Sequence, residues 1–459
     1  MEAVRSDALV FFGATGDLAH KKIFPALQAM LKRGNLNVPV IGVAKAGWKL
    51  DDLKNRAKDS LQQHGGLDPA AFDKLCGLLR YVDGDYNNPA TFAALHKELG
   101  GAQRPAHYLA IPPVLFGTVV QNLAKSGCTS GARVIVEKPF GRDLKSAKEL
   151  NRILHATFPE ESIFRIDHYL GKTPVHNMMF FRFTNMYLQP FFDREHVESV
   201  QLTMAENFGV QGRGGFYDAT GAVRDVMQNH LFQIIANLAM EAPARLDAES
   251  VRDEKVKVLK AIPAIGPADL VRGQFSGYLK EAGVAPGSTT ETFGAMRLRI
   301  DSWRWQGVPF YLRAGKNLPV TCTEFVIRLR KPPTIFPDIP IYGNTLRFRI
   351  SPDVGVGYGT NILEPGSEKQ SQLAEIMASK HPDAKEMDAY ERLLGDAMRG
   401  DATLFAREDY VEEAWRIVDP VLASPPTVQV YEPGTWGPAE AMKQFGPPGG
   451  WHASVVESK

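Results

Sequence analysis

Cysteine is scarce in this chain: Cys76, Cys128 and Cys322 are its only three, widely spaced and without a CxxC pair. That scarcity argues against a disulfide framework and a cysteine-built zinc site, and it suits a reducing compartment; no metal is expected. An excess of either charge is also lacking, because 53 basic residues meet 52 acidic ones for a net charge of +1. No global field then draws the chain to nucleic acid or an acidic membrane, and any anionic ligand must be met by local lysines, arginines and histidines. Long apolar runs are missing too: nothing approaches the roughly 18 uninterrupted residues of a membrane span. Met1 to Asp7 carries two acids and no apolar leader core, so a cytoplasmic protein is expected. No repeated unit is visible. Apolar residues at 44% and charged residues at 23% are those of a globular protein, and 459 residues exceed one ordinary core, so two domains are expected.

What is present starts with an apolar run, Ala8 to Phe12, that suits a strand buried on both faces of a parallel sheet. Gly13-Ala14-Thr15-Gly16-Asp17-Leu18 follows and opens a helical pattern with Leu18, Ile23, Leu27, Met30 and Leu31 on its apolar side, ending at Gly34. A strand, a glycine turn and a helix let the backbone approach a pyrophosphate while free N–H groups bind its oxygens. The turn lacks the full GxGxxG spacing, so by itself it equally describes a connection without a ligand. A second strand is predicted over Val38 to Ala44, and the residue after it bears on the cofactor. An acid there would hold a ribose 2′-hydroxyl, whereas a cation accommodates a 2′-phosphate; the residue is Lys45. Further apolar runs at Leu79–Val82, His107–Ile111 and Ala132–Val136 alternate with helical stretches, which is the doubly wound α/β pattern. Pro112-Pro113 closes one of them and Glu137-Lys138-Pro139-Phe140-Gly141 the next.

The densest chemistry lies in Arg165-Ile166-Asp167-His168-Tyr169-Leu170-Gly171-Lys172, which follows the apolar Ile163-Phe164. Asp167 to Lys172 would stand at the carboxyl end of a strand, where open α/β sheets bind ligands. In an arbitrary sequence the same residues would more often be a strand-end salt bridge between Asp167 and Lys172. Beyond Lys172 the runs Val197–Met204, Phe293–Ile300, Phe325–Leu329 and Leu346–Ile350 read as an antiparallel sheet with one wet face. Glu206 follows the first of them. A helix is predicted around Arg224 to Glu241, with Met227, Leu231, Ile234, Ile235 and Leu238 as its apolar stripe and His230 at the border. Asp225, five residues before His230, would point about 140° away in an α-helix, so one pocket holds both only by wrapping the helix start.

Several of these strings resemble the glucose-6-phosphate dehydrogenase family. RIDHYLGK at 165–172 is similar to its signature; GATGDLAHKK at 13–22, followed by Ile-Phe-Pro, is similar to its cofactor loop GASGDLAxxK, with Thr15 at the small hydroxyl position. EKPFG at 137–141, RDVMQNHLFQ at 224–233, YLRAGK at 311–316, DAYERLL at 388–394 and GTWGP at 434–438 match further family segments, so the likeness runs from residue 8 to about 440. It implies an N-terminal Rossmann-like doubly wound parallel sheet over 1–164 and a larger α+β domain on a mainly antiparallel sheet over 165–459, used for substrate binding and oligomerisation. The implied reaction is oxidation of D-glucose 6-phosphate at C1 to 6-phospho-D-glucono-1,5-lactone with NADP. Another aldose phosphate or free glucose as substrate, or a dinucleotide-sensing protein without turnover, are the alternatives.

A sugar hemiacetal needs a base for its hydroxyl proton, and imidazole, with a pKa of about 6.5, suits that task when a carboxylate orients it. The resemblance assigns His230 as base and Asp167 as its partner. It gives His168, Tyr169, Lys172 and Lys316 to the phosphate, and Glu206, Asp225 and Lys138 to the sugar hydroxyls and the reacting end. The cofactor would be held by Gly13, Thr15, Gly16, Asp17, Leu18, Lys22, Lys45, Pro112 and Lys138, with Pro139 in a cis peptide. Two departures stand out. The family often has Arg followed by Ser or Thr where this chain has Lys45-Ala46, which leaves NAD open as a second acceptor. A second phosphate cation is usual five residues after Lys316, and here that residue is Thr321. By family analogy the chain would be a homodimer or homotetramer.

Overall fold

The computed structural model describes residues 5–333, 335–380 and 387–454. Its strands are, in chain order, β1 Ala8–Phe12, β2 Val40–Ala44, β3 Leu79–Asp83, β4 Pro105–Leu109, β5 Arg133–Glu137, β6 Ile163–Ile166, β7 Val197–Ala205 and β8 Leu270–Phe275. There follow β9 Phe293–Arg299, β10 Pro309–Gly315, β11 Cys322–Leu329, β12 Thr345–Ser351, β13 Val354–Leu363, β14 Ser371–Lys380, β15 Phe405–Ala406 and β16 Val428–Tyr431. The chain divides into two compact units. The first comprises Met1–Thr173, Pro243–Asp253 and Met387–Glu412; the second comprises Pro174–Ala242, Glu254–Glu386 and Glu413–Lys459. Relative to the expected segments 1–164 and 165–459, unit 1 also takes in 165–173 and two later excursions of the chain.

Unit 1 is a Rossmann-like sheet in the order β15-β6-β5-β4-β1-β2-β3, parallel throughout except for β15, which runs antiparallel to β6. All five residues of β1 are buried because alternate side chains enter different layers. Leu9 and Phe11 join a cluster with Leu27, Leu53, Leu393 and Phe405, while Val10 and Phe12 join Phe116, Val120, Leu154 and Phe158. The first cluster explains the late return of the chain: Tyr390, Leu393, Leu394, Ala397 and Met398, on the helix Ala389–Arg399, cover one face of this sheet. Since β1 lies between β4 and β2, successive connections leave it in opposite directions and open a crevice at its carboxyl end.

Unit 2 is built on a sheet in the order β14-β13-β12-β11-β7-β10-β9-β8-β16. It is mainly antiparallel, with parallel pairing between β7 and β10 and between β8 and β16. The predicted helix over 224–241 lies buried against it, but its geometry differs from the expectation. Val223–Leu231 is π-helical and only Phe232–Ala239 is α-helical. Room for it comes from Gly294 on β9, where a Cβ would stand 2.7 Å from the Met227 sulfur. No helix among the described residues is long and apolar enough to cross a membrane.

Candidate active site

The candidate residues fall into two groups, one on each unit. In unit 1 they sit at the carboxyl ends of the parallel strands. Gly13 leaves β1 with φ +82°, and a Cβ there would lie 2.2 Å from the Ala110 carbonyl oxygen, so only glycine makes this turn. Its N–H donates to the Val43 carbonyl and to the Tyr86 hydroxyl, both at 2.9 Å. Gly16 and Asp17 are exposed at the start of the following helix, with Thr15 and Leu18 partly covered. The segment Ala19–Ile23 is a π turn that ends in the exposed pair Lys21-Lys22 and Ile23. A glycine turn that a Cβ would fill, opening onto a helix start, fits a dinucleotide pyrophosphate. Pro112 is exposed beyond β4, and Lys45 is exposed beyond β2.

Lys138 follows β5 directly, and a cis peptide joins it to Pro139. Next to Lys138, Glu137 is half-buried and accepts the Tyr108 hydroxyl at 2.6 Å. Burial pushes the Glu137 carboxyl up to about 7, against the bond from Tyr108. Asp167 to Lys172 form a turn off β6. The Tyr169 N–H donates to Asp167 Oδ1 at 3.0 Å, and the Leu170 N–H donates to the Asp167 carbonyl at 3.0 Å. Asp167 is buried, with 2% of its surface exposed. The Lys172 ammonium sits 3.8 Å from the Tyr169 ring centroid, and the His168 ring stacks on Tyr390 at 6.4 Å with 10° between planes. The turn is pressed against the Ala389–Arg399 helix, since a Cβ on Gly171 would lie 2.8 Å from the Ala389 carbonyl oxygen. Sequence reasoning gave Tyr390 and Glu137 no role, although Tyr390 backs the His168 ring and Glu137 accepts a hydrogen bond from Tyr390; their place in motif-like strings was the only signal.

In unit 2 the parallel strands β7 and β10 end side by side, Ala205 opposite Gly315, and the next residue of each is a candidate. The Lys316 ammonium donates to the Glu206 carboxylate. It also lies 5.1 Å from the Phe208 ring and 5.4 Å from the Tyr217 ring. Tyr217 is buried, and its hydroxyl is held well above the usual phenol range by that burial and then by the negative charge of Asp225, with Glu206 contributing. Tyr217 thus lies in the neighbourhood of Lys316, Asp225 and Glu206, a grouping that the sequence did not suggest. The π geometry settles the angle between Asp225 and His230. With i to i+5 bonding, residues five apart stand about one turn apart and on one face, so the 140° separation expected of an α-helix does not apply. His230 is 4% exposed on this segment.

The start of that segment is anchored by a residue that the sequence left unremarked. Glu291 accepts the Val223 N–H at 3.1 Å through one oxygen and the Arg272 guanidinium at 2.8 and 3.0 Å through the other. Gly221, with φ +71°, makes the bend into the segment, and a Cβ there would stand 2.5 Å from the Glu291 carboxylate. Thr321 is exposed. Its hydroxyl accepts the Asn207 N–H at 3.0 Å and donates to Asn207 Oδ1 at 2.7 Å.

Two family descriptions match the chain: "Glucose-6-phosphate dehydrogenase, NAD binding domain" over residues 10–177 and "Glucose-6-phosphate dehydrogenase, C-terminal domain" over residues 179–451. Glucose-6-phosphate 1-dehydrogenase 1 of Mycobacterium tuberculosis is 42% identical over 98% of this chain and 96% of that protein. A crystal structure of glucose-6-phosphate 1-dehydrogenase from Mycobacterium avium superposes with a TM-score of 0.93 at 43% identity, covering 99% of this chain and all of the other. A glucose-6-phosphate dehydrogenase solved in complex with its substrate glucose 6-phosphate superposes with a TM-score of 0.89 at 36% identity, covering 99% of this chain and 100% of that one.

Proposed function

Because this chain belongs to the glucose-6-phosphate dehydrogenase family, we propose that it oxidises D-glucose 6-phosphate at C1 to 6-phospho-D-glucono-1,5-lactone, the first oxidative step of the pentose phosphate pathway. It is an oxidoreductase that uses a nicotinamide dinucleotide, and the reading names NADP as that cofactor with NAD as a second acceptor. The observation that carries the proposal is near-complete coverage at 42% identity together with the family's chemical side chains at their strand ends. When bound, the nicotinamide accepts the hydride from C1. His230 takes the C1 hydroxyl proton on an imidazole nitrogen, and Asp167 is assigned to orient the ring and stabilise the imidazolium. Lys172, His168, Tyr169 and Lys316 are assigned to the phosphate, where charge-assisted bonds hold a dianion that net charge would not attract. Glu206, Asp225 and Lys138 are assigned to the sugar hydroxyls and the reacting end. Gly13, Thr15, Gly16, Asp17, Leu18, Lys22, Lys45 and Pro112 are assigned to the cofactor. A cytoplasmic homodimer or homotetramer completes the reading by family analogy. The test is formation of reduced nicotinamide by the purified protein with phosphorylated or free glucose and with either cofactor; no turnover of glucose 6-phosphate with NADP or NAD would refute it.

A further inference from the structure

The loop after β2 carries the groups that would receive a cofactor 2′-phosphate, and each already has an acidic partner from the end of β3. The parallel register places Ala44 opposite Asp83. Asp83 Oδ1 accepts the N–H groups of Ala46, Gly47 and Trp48 at 3.0, 2.8 and 3.3 Å, and it also accepts the Tyr81 hydroxyl at 2.9 Å. Three converging backbone N–H groups make an anion-binding nest, and here the chain's own carboxylate fills it. Asp85 Oδ2 accepts the Lys45 ammonium at 2.7 Å, while Oδ1 is held by the backbone and side-chain N–H groups of Asn87 at 2.8 and 2.9 Å. Lys45 is long and exposed, so Asp85 is the fixed partner and Lys45 the movable one.

A 2′-phosphate arriving at this loop meets two carboxylates and a cation that must first leave one of them. A ribose 2′-hydroxyl is neutral and can donate to either acid. An acid next to the second strand is what holds that hydroxyl in NAD-binding sheets. The position after β2 is a lysine, yet the sheet register supplies the acid from the neighbouring strand. We propose that Asp85 sets the cofactor ratio of this protein: it holds Lys45 and adds negative charge where the 2′-phosphate would lie, so that NAD is accepted alongside NADP. This rests on the reading that the Gly13 turn and the end of β2 hold the cofactor.

The test is calorimetric titration of the full-length protein with NADP and, separately, NAD. Wild type, Asp85→Asn, Lys45→Ala and the double variant are compared, with thermal unfolding as the check on folding. Freeing Lys45 and removing one charge should tighten NADP binding at least about threefold while NAD binding stays level or weakens. In the Lys45→Ala background the same substitution should give a smaller gain, because the cation it frees is gone. The ratio of kcat/KM for the two cofactors should move the same way. A gain in NADP affinity below threefold, or an equal gain for NAD, overturns the role of Asp85. If Asp85→Asn fails to fold, Asp85→Ser is the substitute. Failure of the underlying reading looks different: Lys45→Ala would then alter the dissociation constant of neither cofactor.

Discussion

Lys316 donates its ammonium to Glu206 from the residue just past the end of β10, and Glu206 occupies the matching place past β7. A cation assigned to a phosphate is thus oriented by a neighbouring acid before any substrate arrives. Glu206→Ala removes that orientation together with the sugar-hydroxyl acceptor proposed for this position. KM for glucose 6-phosphate should rise about ten- to a hundredfold, the worth of one charged hydrogen bond, with a smaller loss in kcat. Steady-state kinetics decide it, and an unchanged KM would take Glu206 out of the substrate site.

His230→Asn keeps a polar side chain on the buried face of the π segment but removes the proposed proton acceptor. Turnover should fall by about 10² to 10⁴ with KM almost unchanged. Retention of more than about a tenth of kcat would mean that another group is the base.

The Arg272–Glu291 pair tests whether the π segment is held from its start. Both side chains are buried, and Arg272→Leu would leave Glu291 charged without its guanidinium. Breaking a buried pair from one side costs about 3 to 5 kcal/mol. The thermal midpoint should drop, whereas Arg272→Leu combined with Glu291→Leu should recover part of the loss. A double variant no more stable than the single one would argue that the Glu291 bond to Val223 matters more than the ion pair.

Glu137 gives a pH dependence of definite sign. Its carboxyl rises from an ordinary 4.5 to about 7 in the folded protein, chiefly through burial. Between those values the folded state holds a proton that the unfolded state has lost, so this group's contribution is full at low pH and fades as pH rises through about 7. Glu137→Gln mimics the protonated form and should flatten the decline. Comparing thermal midpoints of wild type and variant from about pH 5 to 8 isolates the effect; parallel profiles would show that Glu137 is ionised throughout.

Much of unit 1 was legible because its signals are local: a five-residue apolar run, then the glycine whose φ of +82° only that residue tolerates easily. The π turns were not, since prediction presumes a period of about 3.6 residues. A trace exists at Leu18 and Ile23, apolar neighbours spaced by five. The excursion over Ala389–Arg399 reads as an amphipathic helix, but its stripe of Leu393, Leu394 and Ala397 does not say which sheet it covers. Glu291 in Thr289-Thr290-Glu291-Thr292 looks like a polar loop acid, because its partners, Arg272 on β8 and Val223 on the π segment, are distant in sequence and meet it only in the fold. Asp85 was hidden in the same way: its partner Lys45 is 40 residues distant in sequence.

Thr321 yields the prediction most particular to this chain. Where the family usually supplies a second phosphate cation, Thr321 instead bonds Asn207 twice, beside Glu206. Two other cations of the chain, Arg313 and Arg182, could be imagined in that role, but both are engaged elsewhere. Arg313 is 2% exposed, lies 4.0 and 4.4 Å from the rings of Trp436 and Trp451, and donates to Thr203 Oγ1 at 3.0 Å. Arg182 is 1% exposed and faces the rings of Phe183 and Phe192 at 4.7 and 5.4 Å. Neither can leave its aromatic partners without placing a guanidinium-sized void in a packed interior. Thr321→Lys should therefore restore a missing charge-assisted bond and not crowd an existing one. The exposed position accommodates the longer side chain, and the lost Asn207 bonds cost about 1 kcal/mol or less in water. We expect kcat/KM for glucose 6-phosphate to rise about three- to tenfold through KM. That for free glucose should stay level, because only the phosphorylated sugar can use the new charge. A variant whose preference for the phosphorylated sugar is unchanged or reduced would mean that the phosphate is already neutralised by a cation other than Arg182 or Arg313, and that Thr321 marks a rearranged site and not a depleted one.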